Sequence, residues 1–256
     1  MERIKTYVKG LDELMNGGIP EESVVLVSGG PGTGKTILCL QYLINGIKKG
    51  DKGLYITFEE EKDAIYDQAR EFGWDLKKLE KEKKLLVRNI EQSETLGQIY
   101  DGINKAIDGF NPDRLVIDSL STFALYAHQI QKITRLEKIP TEESIFYNDK
   151  ILNIPLEWDG VMLRRLILDL IRAIQSKKIT GLLTSEVEEN SNIYSKDGVS
   201  EFLCDGLIGL KKITIGAQAE RTLQLVKMRR TEINAGIFNM KFTKSGIEIE
   251  YNNKTK

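Results

Sequence analysis

Apolar residues along the chain switch repeatedly between two spacings. Short, unbroken, β-branched runs at 23–28 (SVVLVS), 53–58 (GLYITF), 85–90 (LLVRNI), 114–119 (RLVIDS) and 180–184 (TGLLT) read as strands buried on both faces. Between them, 35–49 carries Ile37, Leu40, Ile44 and Ile47 at helical spacing and stops at Gly50. Three further helices are predicted over 61–72, 95–107 and 161–175, the first ending at Gly73. Strand–helix alternation needs crossover connections, so the fold class is α/β: a mainly parallel sheet covered by helices on both faces. After Asp205 the helices stop. The runs 206–213, 223–228, 236–242 and 246–251, with a turn at Lys244-Ser245-Gly246, predict antiparallel strands added to one edge of that sheet. No internal repeat is visible, so 1–256 reads as one domain. The segment 122–159 breaks the pattern: it holds Pro140 and Pro155 and no clear period, and connections of that length tend to be functional or disordered. Its mixed charges (Lys132, Arg135, Glu142, Glu143, Asp149) point to no partner class.

Composition narrows the function classes. A 41 % hydrophobic share over 256 residues supports a sizeable core, and a net charge of −1 exerts no overall pull on nucleic acid or an anionic membrane. A nucleic-acid site would have to be a local patch. Cys39 and Cys204 lie in no metal or redox spacing and read as buried, reduced thiols, and with His128 the single histidine no His-based metal centre is expected. No apolar run follows the charged N-terminus and none approaches the roughly 18 residues of a membrane span. A cytoplasmic protein without a membrane partner is expected.

One motif carries most of the chemistry. Gly29-Gly30-Pro31-Gly32-Thr33-Gly34-Lys35-Thr36 fits G-x-x-x-x-G-K-[ST] and sits between a buried strand and a helix, where a phosphate-cradling loop must sit. Its backbone N–H groups and the helix N-terminus would bind the phosphates of ATP, Lys35 would neutralise the β- and γ-phosphates, and the Thr36 hydroxyl would bind Mg2+. Asp118 closes the strand 114–119 and is a second candidate for Mg2+, set against a turn or helix-capping aspartate. Glu59 and Glu60 follow the strand 53–58, where either could orient and deprotonate an attacking water, or where both could form the acidic first turn of a helix. Lys227 and Arg229 end a late strand and read as solvated cations or as a cationic finger reaching a γ-phosphate, in the same subunit or a neighbouring one. The run 77–84 (KKLEKEKK) reads as a solvated face with no function assigned.

Together these pieces resemble the KaiC-like branch of the RecA superfamily of ATPases. The resemblance runs in order through Gly10-Leu11-Asp12-Glu13-Leu14, Gly17-Gly18-Ile19-Pro20, the loop 29–36, Thr57-Phe58-Glu59-Glu60 and Ile117-Asp118-Ser119. It continues through Leu183-Thr184-Ser185-Glu186, Glu201-Phe202-Leu203-Cys204-Asp205-Gly206 and Lys227-Met228-Arg229. It implies Glu59 as general base with Glu60 in support, and ATP lying between subunits of a homo-oligomer, a hexameric ring or a filament. Lys227 and Arg229 would then act on a neighbour's phosphate. Arg230 stands where relatives often carry glycine. Glu201-Phe202 stands near the phosphorylated hydroxyls of clock members, so autokinase activity is not carried over. In recombinase relatives the region equivalent to 122–159 faces a central channel, which makes it the expected place for a partner-specific contact. Two other readings compete with a regulatory ATPase. One is a recombinase paralogue binding single-stranded DNA, favoured only by local clusters such as Lys211-Lys212 and Arg229-Arg230. The other is a nucleotide-binding signalling scaffold with little turnover.

Overall fold

The computed structural model describes residues 1–90, 96–125, 144–147, 150–153, 159–188, 191, 193–215 and 218–251. In chain order the elements begin with β1 (Arg3–Ile4), α1 (Leu11–Leu14), β2 (Ile19–Pro20), β3 (Val24–Gly29), α2 (Lys35–Ile47), β4 (Gly53–Thr57), α3 (Lys62–Arg70), α4 (Leu76–Lys81), β5 (Leu85–Asn89) and α5 (Leu96–Phe110). They continue with β6 (Arg114–Asp118), β7 (Ser144–Tyr147), β8 (Lys150–Asn153), α6 (Asp159–Ser176), β9 (Thr180–Glu186) and α7 (Ser200–Leu203). The last strands are β10 (Gly206–Ile215), β11 (Gln218–Met228), β12 (Ile237–Thr243) and β13 (Gly246–Ile249).

The main sheet has nine strands in the order β13-β12-β11-β10-β3-β9-β6-β4-β5. From β5 to β10 all neighbours are parallel; β11, β12 and β13 add on antiparallel. This is the predicted architecture, and β3 shows why it forms. All six of its residues are buried. Val25 and Val27 enter one apolar cluster with Leu38, Leu43 and Ile47 of α2, while Val24 and Leu26 enter a second with Ile99 and Ile103 of α5 and Ile167 and Leu170 of α6. A strand in parallel pairing on both edges, with helices on both faces, has no polar face to show, which is why it reads as an unbroken apolar run.

Several boundaries differ from the sequence reading. β9 runs on to Glu186, and β11 begins at Gln218, before its apolar stretch. A small antiparallel pair, β1 with β2, was not expected from so short an apolar signal. Within 122–159 the structure shows the antiparallel hairpin β7–β8; His128, Lys132, Arg135, Pro140, Glu142, Glu143, Asp149 and Pro155 lie outside the described residues. The run 77–84 is largely solvated, as expected, except that Glu80 accepts the Val87 N–H at 2.7 Å and the Tyr66 hydroxyl, tying α4 to β5 and α3. Both cysteines are buried thiols, and burial pushes Cys204 up to about 12 and Cys39 well above the ordinary thiol value, so both stay protonated. Among the described residues no helix is long and apolar enough to cross a membrane.

The base of the sheet is pinned by one buried cation. Arg114, 2 % exposed, pairs with Asp51 at 2.7 Å, donates to the Tyr42 carbonyl at 3.0 Å and stacks 4.6 Å from the Tyr42 ring centre. Its guanidinium passes so close to α2 that a Cβ on Gly46 would lie 2.0 Å from Nε. Glycine is required there by contact, not by turn geometry.

Candidate active site

The chain leaves β3 for β4 by passing over the positions later filled by β9 and β6, and it later reaches β10 on the other side of β3. That reversal opens a crevice at the C-terminal ends of the strands, the place where open α/β sheets bind ligands. The loop from Gly29 to Gly34 wraps there and feeds directly into α2. A cleft of about 400 Å³ lies over it, lined on one side by Gly32, Lys35 and Thr36 and on the other by Glu59, Glu60 and Asp118.

Lys35 is 8 % exposed and its ammonium donates to the carbonyls of Gly29 at 2.9 Å and Gly30 at 3.1 Å. Strand register sets Gly29 opposite Glu186, whose carboxylate lies 3.6 Å from the same ammonium. Asp118 ends β6 and accepts three hydroxyls: Thr36 at 2.8 Å and Tyr55 at 2.6 Å on Oδ2, and Thr184 at 2.6 Å on Oδ1. These three donors hold the carboxylate in one orientation. Burial, and then the Asp118 charge, push the Tyr55 phenol well above its ordinary value, so it remains a donor.

The two glutamates diverge. The Thr57 hydroxyl accepts the N–H groups of Glu59 at 3.2 Å and Glu60 at 3.0 Å, which fixes the turn after β4. The exposed Glu59 turns toward β6, where Ser119 and Thr122 both donate to Oε1. Glu60 turns the other way, accepts from Gln68 and is half-buried; burial, then repulsion from Asp118, raise its carboxyl above the usual range.

These residues fit a polyphosphate and a small divalent cation. The loop offers an ammonium and backbone amides at a helix N-terminus, which suits phosphate oxygens. Thr36 and Asp118, already within 2.8 Å of each other, are hard oxygen ligands of the kind Mg2+ takes along with phosphates and water. Among the described residues no group of three or more His, Cys, Asp and Glu is placed to hold a metal ion.

Lys227 and Arg229 lie elsewhere. β11 runs against β10, so Lys227 pairs with Leu207, whose own parallel partner is Leu26, well down β3 from the loop. There Lys227 donates to the Glu201 carbonyl at 2.8 Å, and Arg229 contacts Asp205 at 3.4 Å and the Phe202 carbonyl at 3.1 Å. Burial, then Arg229, lower the Lys227 ammonium below its ordinary value. The reading of a cationic finger reaching the same subunit's phosphate is therefore corrected: antiparallel pairing carries both side chains toward the opposite edge of the sheet. Arg230 takes φ 61°, the left-handed conformation glycine would supply, and donates to Ser23 at 3.0 Å.

Sequence reading missed the outer wall of the cleft. Phe242 of β12 lines it, the Arg221 guanidinium of β11 sits 4.7 Å over the Phe242 ring, and Arg221 also donates to the Gly32 carbonyl at 3.1 Å. It also missed the hydroxyls of Tyr55, Ser119, Thr122 and Thr184. A lone aromatic or hydroxyl in a strand carries no motif, and only strand order brings these groups to the loop.

A family model described as "ATPase: KaiC" matches residues 4–139 and 135–254. A UPF0273 protein of Saccharolobus solfataricus is 31 % identical over 272 residues, covering 100 % of this chain and 85 % of that protein. The circadian clock oscillator protein KaiC of a Picosynechococcus is 29 % identical over 260 residues, covering 97 % of this chain and 44 % of the clock protein. The crystal structure of a KaiC-like protein from the archaeon Pyrococcus horikoshii superposes with a TM-score of 0.78 at 27 % identity, covering 98 % of this chain and 99 % of that one.

Proposed function

The chain belongs to the KaiC family of ATPases, and from that premise we propose that it hydrolyses ATP with Mg2+ as a homo-oligomer, coupling turnover to a conformational or partner-binding change. The observation that carries this reading is the contact between Thr36 and Asp118 beside Lys35, because it joins a hydroxyl, a carboxylate and an ammonium at the mouth of one glycine loop.

In this reading the loop amides and Lys35 bind the β- and γ-phosphates and hold them in line for attack. When bound, Mg2+ supplies further neutralisation of the phosphate charge, with Thr36 and Asp118 as its protein ligands. Glu59 orients the attacking water and accepts its proton; the Ser119 and Thr122 hydroxyls aim the carboxylate. Glu60 supports the turn and keeps Gln68 in place. Phe242, with Arg221 behind it, offers an aromatic wall for the nucleotide's non-phosphate end. Lys227 and Arg229 act on the phosphate of a neighbouring subunit, since their own strand directs them away from their own loop.

The test is turnover and assembly mass measured together. Wild-type chain with Mg·ATP is expected to form an oligomer and release phosphate. Glu59→Gln is expected to keep nucleotide affinity and lose turnover by about 10²- to 10⁴-fold, the usual weight of a general base. Unchanged turnover in that variant removes Glu59 from its role. A chain that stays monomeric at every nucleotide and protein concentration removes the trans role of Lys227 and Arg229.

A further inference from the structure

The nucleotide cleft is assembled from two halves of the sheet that meet at one seam. β3 carries the glycine loop and stays in register with β9 as far as Gly29 and Glu186. β4 carries Glu59 and stays in register with β6 as far as Thr57 and Asp118. Between these halves, β6 and β9 pair only as far as Ile117 and Leu183. The backbone ladder therefore stops short just where Lys35 and Glu59 have to be held at a fixed separation.

Side-chain hydroxyls continue the ladder. Thr184 donates to Asp118 at 2.6 Å, one step beyond the last backbone pair. Further out Ser121, 3 % exposed, accepts the Glu186 N–H at 2.9 Å and lies 3.2 Å from the Ser185 hydroxyl. Glu186 is thereby held at both ends, by Ser121 at its amide and by Lys35, 3.6 Å from its carboxylate. On the other side of the seam, Ser121 belongs to the turn 119–122 that aims Glu59. Ser119 and Thr122 donate to that carboxylate, and the Thr122 N–H donates to the Ser119 hydroxyl at 3.2 Å. Leu120 and Phe123 are buried and set how deep the turn sits in the core. Among the described residues, the turn's hydrogen bonds to β9 both run through the Ser121 oxygen.

We propose that Ser121 is a positioning residue for hydrolysis: it sets the separation between the phosphate held at Lys35 and the carboxylate of Glu59. The inference rests on the assignment of Glu59 as the base. Ser121 does not line the cleft, so it acts through the turn it shares with Ser119 and Thr122. A misplacement of about 1 Å between reacting groups can cost on the order of 100-fold in rate. The groups that hold the phosphates lie on the loop side of the seam, and their bonds to Gly29 and Gly30 do not pass through Ser121.

The test is Ser121→Ala in the full chain, with phosphate release at saturating Mg·ATP and calorimetric affinity measured on the same preparation. Expected is a fall in kcat of about 10- to 100-fold with the Mg·ATP dissociation constant unchanged, the mark of a group that serves only the transition state. Turnover is expressed per nucleotide site counted by calorimetry, so a partly unfolded preparation does not imitate the effect. Ser185→Ala removes a neighbouring buried hydroxyl but leaves the bond to Glu186, and is expected to keep kcat near wild type. Added to Glu59→Gln, Ser121→Ala is expected to cost nothing further, because the carboxylate it positions is already gone. The inference is overturned if Ser121→Ala keeps kcat, or if it weakens Mg·ATP binding in proportion to its loss of turnover. It is also overturned if Ser185→Ala costs as much, or if the Ser121 loss adds in full to that of Glu59→Gln. Unchanged turnover in Glu59→Gln alone would instead remove the base itself, whatever Ser121→Ala does.

Discussion

The two ends of the central sheet are built from the same kinds of polar residue and do opposite things with them. At the C-terminal edge Lys35, Asp118, Glu59 and Glu60 line an open cleft, and hydroxyls aim the carboxylates Asp118 and Glu59. At the other end Arg114 is sealed by Asp51 and Tyr42, while Lys227 and Arg229 rest on backbone carbonyls and Asp205. Polar groups at one end face a ligand space; at the other they mostly satisfy each other. The cations suited to completing a polyphosphate site are thus separated from it within one chain, because β11 is antiparallel. In the homo-oligomer proposed above, a second copy would supply those cations.

Four experiments break or sharpen this contrast, from the largest expected effect downward. Lys35→Ala should raise the dissociation constant for Mg·ATP by at least about 100-fold, read by calorimetry on the folded protein, since hydrogen bonds to a charged group are worth roughly 1.5–3 kcal/mol each. The unfolding temperature should fall as well, because the bonds to the Gly29 and Gly30 carbonyls go with the ammonium. Near-normal affinity would mean the C-terminal edge is structural after all.

Arg229→Ala should lower turnover by about 10²-fold or more, the weight of a charged donor at a phosphoryl transition state. Mixing it with Glu59→Gln should restore part of the activity, because some interfaces then pair an intact Glu59 with an intact Arg229. Two inactive variants that stay inactive when mixed would deny the trans arrangement.

Gly46→Ala tests the base of the sheet. The added methyl meets Arg114 at 2.0–2.5 Å, so the buried ion pair must shift. Expected is a loss of about 1–3 kcal/mol in denaturant unfolding, as for other overpacked cores, with the Mg·ATP dissociation constant of the folded fraction unchanged. A change in affinity without a change in stability would erase the distinction between the two ends.

The smallest effect is a pH dependence. Because burial and Asp118 raise the folded Glu60 carboxyl above its unfolded value, the folded state binds the extra proton in that window. Stability therefore falls as pH rises from the ordinary glutamate value through the raised one. Glu60→Gln should flatten that slope, and Asp118→Asn should move the Glu60 midpoint down in an NMR titration. A midpoint indifferent to Asp118 would show that the two carboxylates do not sense each other.

Much of this molecule was legible along the chain because the relevant signals are local. The loop 29–36 needs only consecutive residues, and a buried parallel strand such as Val24–Gly29 announces itself by an unbroken apolar run. Asp118 and Glu59 could be picked out because each directly follows such a run. What strand order and register decided was less visible. Glu186 reaches Lys35 because β9 pairs with β3, and Phe242 reaches the cleft because β12 follows β11 across the sheet; neither carries a motif. The direction of β11 settled where Lys227 and Arg229 point, and the early end of the β6–β9 pairing left Ser121 to bridge that seam. Periodicity and short motifs are set by neighbours in the chain, so the sequence alone determined them. Which strands lie side by side, and in which sense, depends on the packing of the whole core, and only the tertiary structure could decide it.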